Sequence, residues 1–226
     1  MKILNLDWRD YHMHTSSFSD GMNSIDEMVK FAWEIWLTEI AITDHSDAAM
    51  KVLWDKYLVS PNVLRYNINR WENIFNDVNV IFWVEADILN ENWDVCFEVQ
   101  WKEPNYIILA WHSDVYNWNP ETITNAHINA IKRYHSKIKF ICHPCNNSDF
   151  WQYIDIEKLV DIANQYNIPL EFNTKNFVYK KTNIEKLNYL LKNTNEVYVN
   201  SDAHNLFMLK NHRKEWILYL KENNFI

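Results

Sequence analysis

The chain has 226 residues, 48% of them hydrophobic, and a net charge of −8 from 30 acidic and 22 basic side chains. That length supports one domain spanning residues 1–226 with a sizeable core. The acidic balance speaks against a surface built to grip a nucleic acid backbone. It leaves room for a small phosphorylated substrate whose charge is met locally by bound cations. No apolar run reaches the roughly 18 residues of a membrane span, and the opening Met1-Lys2-Ile3-Leu4-Asn5 is no signal peptide. Three cysteines fit a reducing cytoplasm better than a disulfide scaffold.

Strands and helices alternate along the chain. A strand at 8–13 precedes a helix at 25–35, opened by the capping-box sequence Ser24-Ile25-Asp26-Glu27. Then come a strand at 39–43, a helix at 63–75, strands at 80–88 and 106–111, and a helix at 121–135. The last part reads as strand 138–142, helix 156–165, strand 169–172, helix 184–191, strand 196–200 and helix 210–222. Such alternation means βα units and a parallel sheet. Ligand-type residues close most of the seven strands, which favours an α/β fold with a closed or nearly closed barrel. Such barrels build their sites at the C-terminal mouth of the strands. An open doubly wound sheet would recruit only two or three strand ends at its switch point.

The strand ends carry the chemistry. Asp10-Tyr11-His12-Met13-His14 closes the first strand, and residues two apart on a strand face one way. Asp20 follows; then come Thr43-Asp44-His45, Glu85, His112, His143-Pro144 and Ser201-Asp202-Ala203-His204. Neutral imidazole and carboxylate are the ligands that Zn, Mn and Fe prefer. A single His-x-His means little, but its recurrence with these other strand ends predicts a hydrolase with several metal ions. His127, His135 and His212 fall in helical stretches and read as ordinary side chains. Cys142 reads as a core residue, while Cys145 is placed where it could approach the metals.

Composition adds a second anomaly. There are one Gly and twelve Trp, where glycine normally supplies about 7% of a protein. Trp36 follows the first helix where a left-handed cap favours Gly, and Trp93 sits in Asn90-Glu91-Asn92-Trp93-Asp94 where a tight turn joins two strands. One explanation is that most of the tryptophans are glycines in the native product, encoded by UGA that the organism reads as glycine. The other is an aromatic-rich protein that avoids glycine.

In order, the motifs Asp10-Tyr11-His12-Met13-His14-Thr15, Ser19-Asp20-Gly21, Thr43-Asp44-His45, Trp83-Val84-Glu85, His112, His143-Pro144 and Ser201-Asp202-Ala203-His204 resemble the PHP (polymerase and histidinol phosphatase) phosphoesterases. The resemblance runs from Asp10 to Phe225, is nearest to the histidinol-phosphatase-like members, and improves with glycine at Trp36 and Trp83. It implies a distorted seven-stranded TIM-like (β/α)7 barrel with up to three divalent ions (Zn, Mn or Fe) in its mouth. His12, His14, Glu85 and Asp202 would hold the first; Glu85, His112 and His143 the second; Asp20, His45 and His204 the third, with Asp20 standing where some members have His. It further implies hydrolysis of a small phosphate monoester, most of all histidinol phosphate, by metal-activated hydroxide. Glu85, Asp202 and His204 then count as catalytic, with Asp10 and Asp44 as partners for bound histidines.

For the substrate side, Glu171 and Asn173 could face the mouth or serve as strand-end hydrogen bonders, and both readings stay open. The arginine that many relatives place after His-Pro or after the sixth strand is missing; Lys175, Arg213, Lys180 or Lys181 could take its place, each lysine as a point charge. A nucleotide phosphatase or small phosphodiesterase would share every ligand and differ in the loops 46–60 and 113–122. A metal-dependent amidohydrolase commonly needs eight strands and a carboxylated lysine. A metal-binding protein without turnover is the non-enzymatic alternative.

Overall fold

The computed structural model describes residues 1–6, 8–59, 71–100, 102–116, 118–147 and 152–226, with the side chains of 213–215 set apart. The elements are β1 (Lys2–Ile3), β2 (Arg9–Asp10), α1 (Ile25–Glu34), β3 (Glu39–Ile42), α2 (Asp47–Tyr57), β4 (Asn79–Phe82), β5 (Val84–Ile88), β6 (Val95–Cys96) and β7 (Ile107–Ala110). A 3-10 turn, Pro120–Thr122, then leads into α3 (Ile123–Tyr134), β8 (Ile138–Ile141), α4 (Ile156–Gln165), β9 (Leu170–Asn173), α5 (Thr174–Val178), α6 (Ile184–Asn193), β10 (Glu196–Asn200) and α7 (Leu206–Glu222). None of the described helices is long and apolar enough to cross a membrane.

The strands form two sheets. One has the order β1-β10-β9-β8-β7-β5-β6 and is parallel except for the β5–β6 hairpin; the other is β2-β3-β4, all parallel. The seven-stranded ring expected from the sequence is therefore not one closed sheet. The expected strand 80–88 is interrupted at Trp83, which splits it into β4 and β5, and an isolated bridge between His45 and Glu85 rejoins the sheets there. On the other side β2 is too short to form a ladder with β10, and Met13–Ala203 is an isolated bridge.

Side chains stitch that second seam. Asn5 Nδ2 donates to the Val199 carbonyl at 2.9 Å, Val199 N–H donates to Asn5 Oδ1 at 2.8 Å, and Tyr11 N–H donates to Asn200 Oδ1 at 3.1 Å. Ser201 N–H donates to the Asp10 carboxylate at 3.2 Å. Buried amides and a carboxylate thus satisfy the backbone groups that an unformed ladder leaves.

Strand periodicity sorts the core. Ile40, Ile42, Ile107, Leu109 and Ile141 face the helices, while Ala41, Ile108, Ala110, Phe140 and Cys142 face the space the strands enclose, together with Tyr11 and Trp83. Helix α1 fits its sequence: Ser24 and Glu27 form the capping box, and Ile25, Met28, Val29 and Ala32 are buried on one face. Each of the three larger side chains contributes about 1.5–3 kcal/mol by leaving water.

Two expectations change. Most of 46–60, read as loop, is α2, capped by Ser46 accepting from Ala49 N–H; its run of helix-forming residues contains neither Gly nor Pro. The helix expected at 63–75 falls mainly on 60–70, outside the described residues, and 71–75 is not helical.

Buried His127 on α3 gives a test of core electrostatics. Burial, with His143 nearby, pushes its imidazole down to about 4, while a bond to the Ile123 carbonyl opposes the shift. The unfolded chain takes up a proton near pH 6.5 and the folded chain only near pH 4, so stability is full above 6.5 and falls between the two. That loss has a ceiling of about 3 kcal/mol. Urea unfolding at pH 7 and pH 5 should show a smaller acid-induced loss in His127→Gln than in the wild type; equal losses would exclude His127 as a source.

Candidate metal centre

All nine candidate ligand residues come together in one place, around one carboxylate. Glu85, fully buried on β5, has Oε1 2.7 Å from His143 Nε2, 3.5 Å from His12 Nε2 and 3.8 Å from His112 Nε2. Its Oε2 lies 2.9 Å from His45 Nδ1 and 3.4 Å from His14 Nε2. Asp202 Oδ1 lies 3.6 Å from His14, 3.8 Å from His12 and 3.4 Å from His204. Asp20 Oδ1 stands 3.5 Å from His45 Nε2 and 3.6 Å from His204 Nε2.

These ligand atoms fall into overlapping groups, each within 4.8 Å: His14, Asp20, His45 and His204; His12, His143 and Asp202; His45, Glu85 and His112; His12, Glu85 and Cys142. Divalent cations fit this set. His12 Nε2 and His14 Nε2 are only 3.3 Å apart, two ring nitrogens turned to one spot inside protein. Burying such a cluster is costly without positive charge between its members. The grouping differs in detail from the implied one, since His14 joins the Asp20 group and His45 also reaches Glu85.

The electrostatics show the same crowding. Burial pulls the His12 imidazole down, but Glu171, Asp202 and Glu85 outweigh it and hold it well above its ordinary value. His14 goes the other way, driven well down by burial and by His204 and His45. Burial opposes the charge on Glu85, yet His112, His45 and His12 hold its carboxyl well below the usual range. Burial and Lys175 together push His204 down to about 4. Two ligands also occupy left-handed backbone, His143 at φ 35° and Asp202 at φ 49°. Such strain collects where the surrounding structure fixes a functional group.

The ligand histidines have partners behind them, though not those expected. Asp10 accepts from His12 N–H at 3.3 Å, and Asp44 accepts from Thr15 N–H at 2.5 Å and from the Thr15 hydroxyl at 2.6 Å. Glu171 and Asp87 stand behind the imidazoles instead. Glu171 Oε1 is 2.9 Å from His12 Nδ1, and Asp87 Oδ1 is 2.6 Å from His112 Nδ1 while its Oδ2 accepts from Ser46 Oγ at 2.6 Å. Asp87 escaped the sequence reading, although the alternation Glu85-Ala86-Asp87 places both carboxylates on one strand face. Asp87→Asn should weaken cation binding about 10–100-fold, the usual cost of losing such a partner. Competition with a fluorescent chelator measures it, and unchanged affinity would remove Asp87 from the centre.

Of the substrate-side residues, Glu171 is sealed in. Its Oε2 accepts from His143 N–H at 2.8 Å and Asn173 Nδ2 at 3.0 Å, and Oε1 accepts from Asn200 Nδ2 at 2.9 Å. Asn173 also donates to Asp202 Oδ2 at 3.1 Å and caps α5 through Oδ1. Both therefore serve strand-end hydrogen bonding. Lys175 reaches the centre, with Nζ 3.2 Å from Asp202 Oδ1. The Arg213 side chain lies outside the described residues.

Cys142 is a core residue, as its sequence reads, and its Sγ also borders His12 and Glu85; Cys145 packs in the helix-side core. Burial pushes the Cys142 thiol well up and Cys145 up to about 12, so neither is a thiolate at neutral pH. His135 is exposed against Tyr166, and His212 is buried with Nδ1 3.4 Å from the Ser201 carbonyl.

Fold and site together define a class: an α/β protein that gathers histidines and carboxylates from its strand ends into one cation-binding mouth. Residues 10–218 match the PHP domain model, and the chain belongs to that family. It is 26% identical over 207 residues to a probable phosphatase of Shewanella loihica, covering 88% of this chain and 79% of the relative. A probable phosphatase of Pectobacterium carotovorum is 25% identical over 179 residues, covering 78% and 68%. A putative histidinol phosphatase from Listeria monocytogenes shares the fold with TM-score 0.59 at 13% identity, over 92% of this chain and 99% of that one. So does histidinol phosphate phosphatase from Lactococcus lactis, solved with Zn, L-histidinol and phosphate, with TM-score 0.57 at 16% identity over 96% and 92%.

Proposed function

We propose that this phosphoric ester hydrolase acts on a small-molecule phosphate monoester, with histidinol phosphate as the leading substrate and two or three divalent cations (Zn, Mn or Fe) as cofactors. The observation that carries the reading is the convergence of five imidazoles on Glu85 with Asp202 beside them. The family and its probable phosphatases supply the reaction class, and the Lactococcus lactis structure motivates the substrate. His12, His14, Glu85 and Asp202 hold the first cation, Glu85, His112 and His143 the second, and Asp20, His45 and His204 the third.

Bound there, such cations lower the pKa of water and neutralise phosphate charge. The chain's own part is positioning. Glu171 and Asp87 fix the imidazole planes, and Asn173 holds Asp202 Oδ2, leaving Oδ1 turned to the centre for proton handling. Lys175, its Nζ 3.2 Å from Asp202 Oδ1, offers an ammonium to an incoming phosphate. The chain 1–226 acts as a single PHP-like unit, and its three free cysteines suit a reducing cytoplasm.

Phosphate release from histidinol phosphate and from a nucleoside monophosphate, side by side with Mn-loaded protein, tests the reading. Turnover of histidinol phosphate alone supports it. Preference for the nucleotide moves the chain to nucleotide turnover on the same ligands, and release from neither removes the phosphomonoesterase proposal.

We infer further that many of the tryptophans, Trp36 and Trp93 among them, are glycine in the native product through UGA recoding. Trp36 has φ 70° and Trp93 φ 99°, and their side chains are 75% and 47% exposed. Left-handed backbone is costly for a residue with a β-carbon, and neither indole is buried in a way that offsets it. An intact mass of protein from the native host decides this; a mass requiring twelve indoles ends the idea.

A further inference from the structure

The cation-binding mouth shares its carboxylates. Glu85 Oε2 reaches His45 Nδ1 at 2.9 Å and Asp202 Oδ1 reaches His204 Nδ1 at 3.4 Å, while Asp20 belongs to the His14, His45 and His204 group. The Asp20–His204 edge is partly open, with those side chains 24% and 18% exposed. Lys175 lies against it. Its Nζ is 3.4 Å from His204 Nδ1, 3.5 Å from His204 Nε2 and 3.2 Å from Asp202 Oδ1.

The ammonium is delivered from a fixed base. Lys175 belongs to the first turn of α5, which Asn173 caps by accepting from Asn176 N–H at 2.9 Å. Thr174 Oγ1 donates to the Asn200 carbonyl at 2.9 Å and ties the same turn to β10. Beyond that turn the lysine stem is flexible and its side chain 27% exposed, so the ammonium can withdraw when a stronger cation arrives.

We infer that Lys175 sets the occupancy of the third cation position: its ammonium and a divalent ion are alternatives at the Asp20–His204 edge. The inference rests on the cation assignment made above. At that edge the ammonium stands against both His204 nitrogens while pairing with Asp202, so a divalent ion held by His204 meets a like charge at close range. Cation affinity follows ligand charge, and a fixed like charge in a partly buried site is screened far less than in water. The wild-type chain therefore holds two divalent ions tightly and a third weakly. The third ion enters as Lys175 swings out, which frees the ammonium for the substrate's phosphate.

Metal-free wild type, Lys175→Met and Lys175→Arg, each titrated with MnCl₂ while free Mn is followed by electron paramagnetic resonance, test this without any activity assay. Two tight equivalents are expected in all three proteins. A third should bind at least about ten-fold more tightly in Lys175→Met than in the wild type. Lys175→Arg keeps the charge and should follow the wild type, which separates lost charge from disturbed packing. Equal third-site affinity in the wild type and Lys175→Met, or three equally tight equivalents in the wild type, would overturn the inference and leave the hydrolase reading intact. Absence of tight Mn binding in all three would overturn the cation assignment itself, and this inference with it.

Discussion

Glu85→Gln is expected to abolish tight cation binding and to cut phosphate release by more than about 100-fold. Losing a partner one step behind a ligand already costs about 10–100-fold in affinity or activity, and Glu85 stands at the centre itself. Five imidazole nitrogens lie within 3.8 Å of its two oxygens. The amide removes the negative charge and turns an N–H donor toward nitrogens that must present lone pairs to a metal. The backbone of β5 still has its ladder with β7, and Glu85 N–H still donates to the Asp44 carbonyl, so the fold should persist. Metal content by plasma mass spectrometry, phosphate release and circular dichroism separate these claims. A folded variant that keeps its tight cations would refute Glu85 as their common ligand.

The second large effect concerns stability. Trp36→Gly and Trp93→Gly should each stabilise protein that carries the indoles, by roughly 1 kcal/mol. Left-handed backbone costs about 1–2 kcal/mol for a residue with a β-carbon, and the greater freedom of unfolded glycine returns about 0.4–1 kcal/mol of that. For a chain of this size each change should raise Tm by about 2–4 °C. Trp216→Gly is the contrasting case, because Trp216 is buried within α7 and truncating such a side chain costs about 3–5 kcal/mol. Thermal melts of the three variants give the comparison. A fall in Tm for Trp36→Gly and Trp93→Gly would remove the backbone argument for recoding. Gly21 shows what an obligate glycine looks like here: a β-carbon at that position would collide with the His14 carbonyl.

The sequence exposed those parts of the site that depend on short-range pattern. His12 and His14 share a strand face by period two, and the run Asp202-Ala203-His204 recurs at the far end of the chain. Strand positions were legible for the same reason, with β8 and β10 falling almost where alternating apolar residues put them. Pairings between distant segments were hidden. Glu171 orients His12 across 159 positions, and no local signal links them. The two-residue strands β1 and β6 are too short to leave a pattern, and the seam beside β2 is closed by amides that look like ordinary surface asparagines in a list of residues. Helix α2 was missed because it follows a ligand motif, where a loop is the usual expectation.

The seam has a consequence for how the protein comes into being. Asn5 joins Val199 across 194 positions, and His12 meets Asp202 at the same edge. The N-terminal members of the site are thus enclosed only by β10, the last of the described strands, and by the residues just after it. Contacts of such span close slowly, because loop entropy is lost before any reward arrives. Formation of the site is therefore tied to the closing of the whole chain and not to any local unit of it.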